Sequence, residues 1–520
     1  MKSKESPASP PPAGGLRLYL YVTAGVTGAA IMIVEILGAK MLAPYFGTSH
    51  FVWTAQIAVT LVALAAGYYA GGRLVGSSAR LGRLYGAIAI AAGYLALAIA
   101  LREWVVYLFL MLPLAAGSLL SSVFLFFAPL SLLAMTGPFL VRVLTTSVNE
   151  VGGNVGRLTS VSTIGSFVGT LAIGYVLIPL LPNSATMYAT AALLAVIGIC
   201  YFLLWRRRAS TLTGMALVVV VGLASGAWGM RAEAFRNPSF VEIYRGNSNF
   251  GLLQVLQQTD RPYRLYLTDY LIQNTYDATQ GRSVSMFTYM LQGLARAYTP
   301  RLERVLCIGM GVGIVPRELA REGVAVDVVE INPAVVPVAR RFFDLDPKAF
   351  RLFIADGRQF LNTSREHYDA VILDAFTGDS SPSHLMTREA FTAIRHVLSP
   401  DGVLVMNSFA DLDPSNDLVA ASITRTLRSV FPSVRVHGIR AGNTLFVGSL
   451  RPELTLLHPP AFTDVHPDAL AEVREAFNTQ WELDPGHGIV LTDDYNPIDF
   501  YDAANRERYR RALALSMRNR

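Results

Sequence analysis

The stretch "VLCIGMGVGIVPRELA", residues 305–320, decides the fold. An apolar run without charge ends at Ile308. Gly309, Gly311 and Gly313 follow, and "IVPRELA" then takes up the period of an amphipathic helix. A strand, a tight turn and a helix in that order are the opening of a nucleotide-binding α/β unit: glycine lets backbone approach a ligand, and the helix N-terminus offers unpaired N–H groups. Downstream the same alternation repeats. Strands are predicted at 303–308, 324–331, 351–355, 369–374, 402–408, 433–438 and 443–448. Helices are predicted near 284–297, 313–322, 334–343, 387–397 and 416–429. Strand–helix alternation implies a doubly wound parallel sheet. Upstream, 239–277 alternates apolar and polar residues between turn breaks, the pattern of a small antiparallel sheet. Beyond 451 the pattern is less regular, with helices expected near 467–479 and 503–517.

Three carboxylates end successive strands. Glu330 closes "VDVVEIN", 22 residues after Ile308; Asp356 closes "IADG"; Asp374 closes "YDAVILDAF". Acids at such positions face the crevice where open α/β sheets bind ligands, and the first of them accepts hydrogen bonds from ribose hydroxyls. Singly, Asp356 and Asp374 also fit helix caps and turns. A hydride-transferring enzyme would show G-x-G-x-x-G; here the spacing is G-x-G-x-G.

Residues 1–230 have another composition. They hold 13 Lys/Arg and four Glu (Glu5, Glu35, Glu103, Glu150) with no Asp, whereas 231–520 holds the remaining 31 Lys/Arg and 34 Asp/Glu. The net charge of +6 therefore arises from Arg flanking apolar spans and does not argue for nucleic acid. Spans of ~20 residues are expected near 17–39, 52–73, 83–101, 156–181, 186–205 and 211–228. The 41 residues 104–144 read either as two spans broken at "GSLLSS" or as one span with an interfacial helix, giving seven or eight in all. With the N-terminus inside, Arg73, Arg80, Arg83, Arg142, Arg157 and Arg206–Arg208 fall inside for seven spans. That count carries the second half outside, where eight would return it. "GYYAG" (67–71) and "GSFVG" (165–169) are small-residue patterns for close helix packing, and Glu35 is the one acid deep in a span. The start, 1–16, is Pro/Ser/Gly-rich and expected to be disordered. Cys200 and Cys307 have no disulfide or zinc spacing, and His367, His384, His396 and His437 are scattered without ligand spacing.

The Gly-rich turn with strand-end acids at 330, 356 and 374 resembles the AdoMet-dependent methyltransferase-like fold. Within it, the run from "VLCIGMGVGIVPREL" through "SSPSHLMTREAF" (roughly 300–395) is similar to the polyamine aminopropyltransferases, the spermidine synthases. The membrane half and "LTDDYNPIDFY" (491–501) resemble the membrane-fused spermidine synthase-like proteins. The resemblance implies five parts: a disordered start at 1–16, a transmembrane domain at 17–230, a small β-domain at 239–282, a Rossmann-like catalytic domain at 283–450 and an extension at 451–520. It implies an enzyme that moves an aminopropyl group from decarboxylated S-adenosylmethionine, as co-substrate, to putrescine or a related amine. The products are spermidine and methylthioadenosine, and no cofactor is permanently bound. Gly309, Gly311 and Gly313 would face the nucleoside and sulfonium end, Glu330 the ribose, and Asp356 with Gly357 the adenine. Asp374 would be catalytic; Gln273, Asp379 and Pro382 would border the amine.

The chain also departs from that family's pattern. Val312 stands where the family has an Asp that contacts the transferred amine. Phe287, Thr288 and Tyr289 align with a Tyr-His-Glu, Gly251 with a Gln, and Thr377 with an acid, unless Asp379 takes its place after a slip of one or two residues. The nucleoside side is intact and the amine side thinned. Methyl transfer from intact AdoMet is therefore one alternative, and a membrane transporter or sensor with a ligand-binding domain is another. The expected partners are a putrescine-like amine and a lipid bilayer, with no nucleic acid. A homo-oligomer is left open, and the expected location is a cell membrane, as a multi-pass protein.

Overall fold

The computed structural model describes residues 14–47, 50–77, 81–206, 209–233, 237–376, 382–440, 442–484 and 486–516. The chain divides into two compact units, Met1–Phe235 and Arg236–Arg520.

The first unit is helical. Among the described residues, six helices are long and apolar enough to cross a membrane: Gly14–Phe46, His50–Val75, Leu81–Phe109, Leu114–Leu144, Val148–Leu180 and Asn183–Trp205. The stretch expected as a span at 211–228 lies in helix Ala209–Glu233, of which Thr213–Gly229 is apolar. Within 104–144 the helix breaks at 110–113, not at "GSLLSS". Pro113 has no N–H to donate and pushes its predecessor toward extended backbone. "GSLLSS" continues as helix, with Ser118 Oγ donating back to the Leu114 carbonyl at 2.7 Å. Two of these helices contain π turns, Val123–Phe127 and Ile173–Leu177.

The small-residue patterns lie at helix crossings. A Cβ on Gly165 would stand 2.0 Å from the Gly25 carbonyl oxygen, and one on Gly67 would stand 2.2 Å from that of Ser131. Backbone therefore meets backbone where the helices cross, as expected for close helix association. The expected disordered start falls outside the described residues for 1–13, and residues 14–16 already belong to the first helix.

The second unit holds two sheets. Strands β1 (Phe240–Ser248), β2 (Gly251–Gln258), β3 (Tyr263–Thr268), β4 (Leu271–Asp277) and β5 (Arg282–Ser283) form an antiparallel meander in chain order. Strands β6 (Arg304–Ile308), β7 (Ala325–Glu330), β8 (Arg351–Ile354), β9 (Tyr368–Leu373), β10 (Leu398–Ser408), β11 (Ser433–Gly438) and β12 (Thr444–Ser449) form a seven-stranded sheet. Its order is β11-β12-β10-β9-β6-β7-β8. Six strands run in one direction, while β12 runs antiparallel between β10 and β11. The result is a mixed sheet of the Rossmann-like, methyltransferase type.

Both faces of this sheet are covered. Val305 and Cys307 of β6, Val328 of β7, Ile372 of β9 and Val405 of β10 enter one core. Leu306, Ile308, Val329, Leu373 and Met406 enter the other. Two buried faces explain why these strands read as continuous apolar runs instead of alternating. Helix Pro467–Asn478 packs on helix Met286–Tyr298, and Gln480 bridges to His437 on β11, shielding that sheet edge. His437 is fully buried between the Tyr298 hydroxyl, 2.8 Å away, and the Phe477 carbonyl, 3.0 Å away. Burial drives its imidazole down to about 4, so it is a neutral core residue.

Candidate functional site

The chain leaves β6, travels outward through β7 and β8, and returns to the other side of β6 at β9. The strand order thus reverses between β6 and β9, and a crevice opens at their carboxyl ends. Gly309 and Asp374 meet there. Gly309 has φ 92°, which disfavours side chains, and a Cβ on it would stand 2.2 Å from the Asp374 carbonyl oxygen. The Asp374 N–H donates to the Ile308 carbonyl at 2.9 Å, and the Gly309 N–H to that of Val329 at 2.8 Å.

One cavity gathers most of the residues singled out in the sequence. Gln273, Gly309, Gly311, Glu330, Asp356, Gly357, Asp374 and Pro382 all line it. Gly313 is not among its lining residues; it caps helix Ile314–Arg321 at φ 80° and packs against Leu345. Asp379 and Thr377 lie outside the described residues. Val312, Phe287 and Thr288 line the cavity; Tyr289 and Gly251 do not.

Each acid is held differently. Glu330 is nearly buried, and its two oxygens accept from the N–H groups of Met310 (2.9 Å) and Asn332 (2.7 Å). Burial pushes its carboxyl up, against the pull of those amides and of Ile331 and Gly311. Asp356 caps helix Gly357–Thr363 by accepting from the Gln359 N–H at 2.9 Å, and its other oxygen lies 3.2 Å from His384 Nε2. The capping role expected of a lone Asp is therefore real, and it leaves one carboxyl oxygen for a second partner.

Asp374 lies deep among protein atoms with part of its surface open to the cavity. Burial pushes its carboxyl up to about 6, moderated by the Asn407 Nδ2 that donates to it at 2.9 Å. Asn407 Oδ1 in turn accepts from Asn443 Nδ2 at 2.9 Å. This carboxamide chain fixes which oxygen of Asp374 is engaged and leaves the other for a proton. A carboxylate raised toward neutrality and facing a mostly apolar cavity is suited to accept a proton from a bound ammonium.

Sequence reasoning missed Asn407, Asn443 and the His384–Asp356 contact. The available signal was "VLVMNS", in which one amide ends an apolar strand level with the strand-end acids. Asn407 is 2% exposed, so its amide must be satisfied internally, and Asp374 and Asn443 do so.

A spermine/spermidine synthase domain matches residues 285–439. The chain is 32% identical over 232 residues to a polyamine aminopropyltransferase of Vibrio vulnificus, covering 41% of this chain and 75% of that one. It is 30% identical over 219 residues to an N-terminal histidine N-methyltransferase of Emericella nidulans, covering 38% of each chain. Among solved structures, a probable spermidine synthase from Corynebacterium glutamicum aligns at 20% identity with a TM-score of 0.36, covering 46% of this chain and 85% of that one.

Proposed function

Since the chain belongs to the polyamine aminopropyltransferases of the spermidine synthase type, we propose that its second unit transfers the aminopropyl group of decarboxylated S-adenosylmethionine to putrescine or a related amine. The observation that carries this reading is the position of Asp374, oriented by Asn407, in the same cavity as the Gly-rich turn, Glu330 and Asp356.

The acceptor arrives as an ammonium, with an ordinary pKa near ~10, and cannot attack until it loses a proton. Asp374 takes that proton. The freed nitrogen lone pair forms a C–N bond to the carbon next to the sulfonium; the C–S bond breaks and its electron pair returns to sulfur. The products are spermidine and the neutral thioether methylthioadenosine. The leaving group needs no acid, which agrees with a reaction centre built around one base. Glu330 would take the ribose hydroxyls, Asp356 and Gly357 the adenine, and Gly309 and Gly311 the sulfonium side. Gln273, Pro382 and Asp379 would border the amine.

The test uses the full chain in detergent with decarboxylated AdoMet and putrescine, and spermidine and methylthioadenosine are quantified together. Equal amounts of both are expected. Methylthioadenosine without spermidine would mean another acceptor, and neither product would sink the reading. A second reading, methyl transfer from intact AdoMet, is favoured by Val312, which is 2% exposed and lines the cavity where the family has an acid. No carboxylate at that position repels the carboxylate of intact AdoMet. Methylated amine formed from AdoMet in the same assay would replace the first reading with the second.

We further propose a multi-pass protein of the cell membrane. Six crossings with the N-terminus inside return the chain to the inner side after Trp205, at Arg206, in keeping with positive charge inside. If Thr213–Gly229 does not cross, the second unit faces the cytoplasm, where its donor is made. A fluorescent protein fused after Arg520 should fold and glow, and a periplasmic-type phosphatase there should be inactive. The opposite pair of results would establish a seventh crossing.

A further inference from the structure

The motif "LTDDYN" (491–496) lies outside the cavity lining, yet its contacts run to one cavity wall. The turn is closed on itself: the Thr492 N–H donates to the Tyr495 carbonyl and the Tyr495 N–H to Thr492 Oγ1, both at 3.0 Å. From it, Asp493 reaches two partners. Its Oδ1 accepts from Thr387 Oγ1 at 2.6 Å and its Oδ2 from Arg358 Nη2 at 3.1 Å. Asn496 Nδ2 donates to the Ser383 carbonyl at 2.8 Å, and the Arg388 N–H donates to the Leu491 carbonyl at 2.8 Å.

Those partners frame the wall. Pro382, His384 and Leu385 line the cavity. Thr387, 1% exposed, caps the following helix Arg388–Val397 by accepting from the Ala390 N–H. With its oxygen so used, its proton goes to Asp493. Arg358 stands on the helix that Asp356 caps, and its Nη1 also reaches the His384 carbonyl at 3.4 Å. His384 then closes on Asp356 at 3.2 Å. One carboxylate thus ties together both elements that flank Asp356.

We propose that Asp493 is a positioning residue, and that the turn Leu491–Asn496 clasps segment 382–387 in place as a wall of the substrate cavity. The consequence for binding rests on the reading of Asp356 as the adenine-side acid; the consequence for the wall does not. An exposed ion pair alone contributes little, but the bond to the buried Thr387 hydroxyl is charge-assisted and fixes geometry.

The test uses the full chain in detergent, with Asp493→Ala, Asp493→Asn and, as control, Asp494→Asn, whose side chain is exposed. Three quantities are read: amide hydrogen exchange in peptides covering 382–388, the Kd of methylthioadenosine, and kcat at saturating donor. Asp493→Ala should speed exchange in that segment about tenfold and raise the Kd roughly three- to tenfold, with kcat at saturating donor within about twofold. Asp493→Asn keeps an acceptor for Thr387 but loses the charge, so it should fall between. Asp494→Asn should change none of them. Unchanged exchange at 382–388, or an equal increase over the whole unit, overturns the clasp. Faster local exchange in a protein that does not bind the nucleoside even as wild type upholds the clasp and overturns the nucleoside reading instead.

Discussion

Asp374→Asn should lower kcat/KM for aminopropyl transfer by about 10²–10⁴, the range that general bases supply, while the Kd for methylthioadenosine stays near that of the wild type. The substitution keeps shape and volume but removes the only atom pair in the proposed mechanism that can take a proton. A carboxyl pushed up to about 6 also sets the pH profile. Asp374 acts as a base only when ionised, so the wild-type rate should rise as pH climbs through about 6 and level off above it. The stability effect has the opposite sense. A folded-state pKa above the unfolded one means that stability is greatest below the unfolded value and falls as pH rises through the folded one. At pH 8 the variant, free of a poorly solvated charge, should therefore melt no lower than the wild type. A variant with full activity would dismiss Asp374 as the base. A variant that is inactive because it is unfolded would show in its melting curve.

Gly309→Ala should be nearly as damaging, by a steric route. Its Cβ would stand 2.2 Å from the Asp374 carbonyl oxygen and 2.7 Å from that carbonyl carbon, at a φ of 92°. The obstacle is backbone, so no side-chain rotation relieves it, and the end of β9 must move. The cost should be about 2–4 kcal/mol from strain and overpacking together. A shift of that size at the base should reduce kcat/KM about 100-fold or more. Gly311→Ala is the internal comparison: its φ is 52°, but nothing lies within 4 Å of the added methyl. It should cost little more than the ~1 kcal/mol of left-handed backbone. Equal losses for the two variants would remove the claim that Gly309 is special because of Asp374.

The α/β alternation was legible because strands buried on both faces form charge-free runs that Gly, Asp and Asn terminate. Hence β6, β7, β9 and β11 start and end within a residue or so of the ranges predicted from sequence. The antiparallel direction of β12 was not legible. Its pattern is as apolar as that of its neighbours, and direction depends on the connection, here only the few residues between Gly438 and Thr444. Helix Gly357–Thr363 was missed because a helix of two turns shows too little of its period. In the site, the strand-end acids stood out as charges in apolar surroundings. Asn407 and Asn443 did not, because a single amide carries no spacing. The work of Asp493 is settled by Thr387 and Arg358, residues more than a hundred positions away in the chain. The helical unit was read from hydropathy; of the two readings of 104–144 the single span agrees with helix Leu114–Leu144, and the break at "GSLLSS" does not, because an apolar helix tolerates Gly and Ser better than Pro.

The placement of β12 between β10 and β11 has a consequence for biosynthesis. When β10 leaves the ribosome, the strand that will cover its open edge is still about 40 residues from completion, since helix Leu418–Arg428 and β11 are made first. At 5–20 residues per second the nascent chain carries the apolar edge "VLVMNS" unpaired for about 2–8 s. During that interval it is a template for strands of neighbouring nascent chains. Slow translation across 409–449 would lengthen the exposure, and crowding of ribosomes on one message would turn it into aggregation.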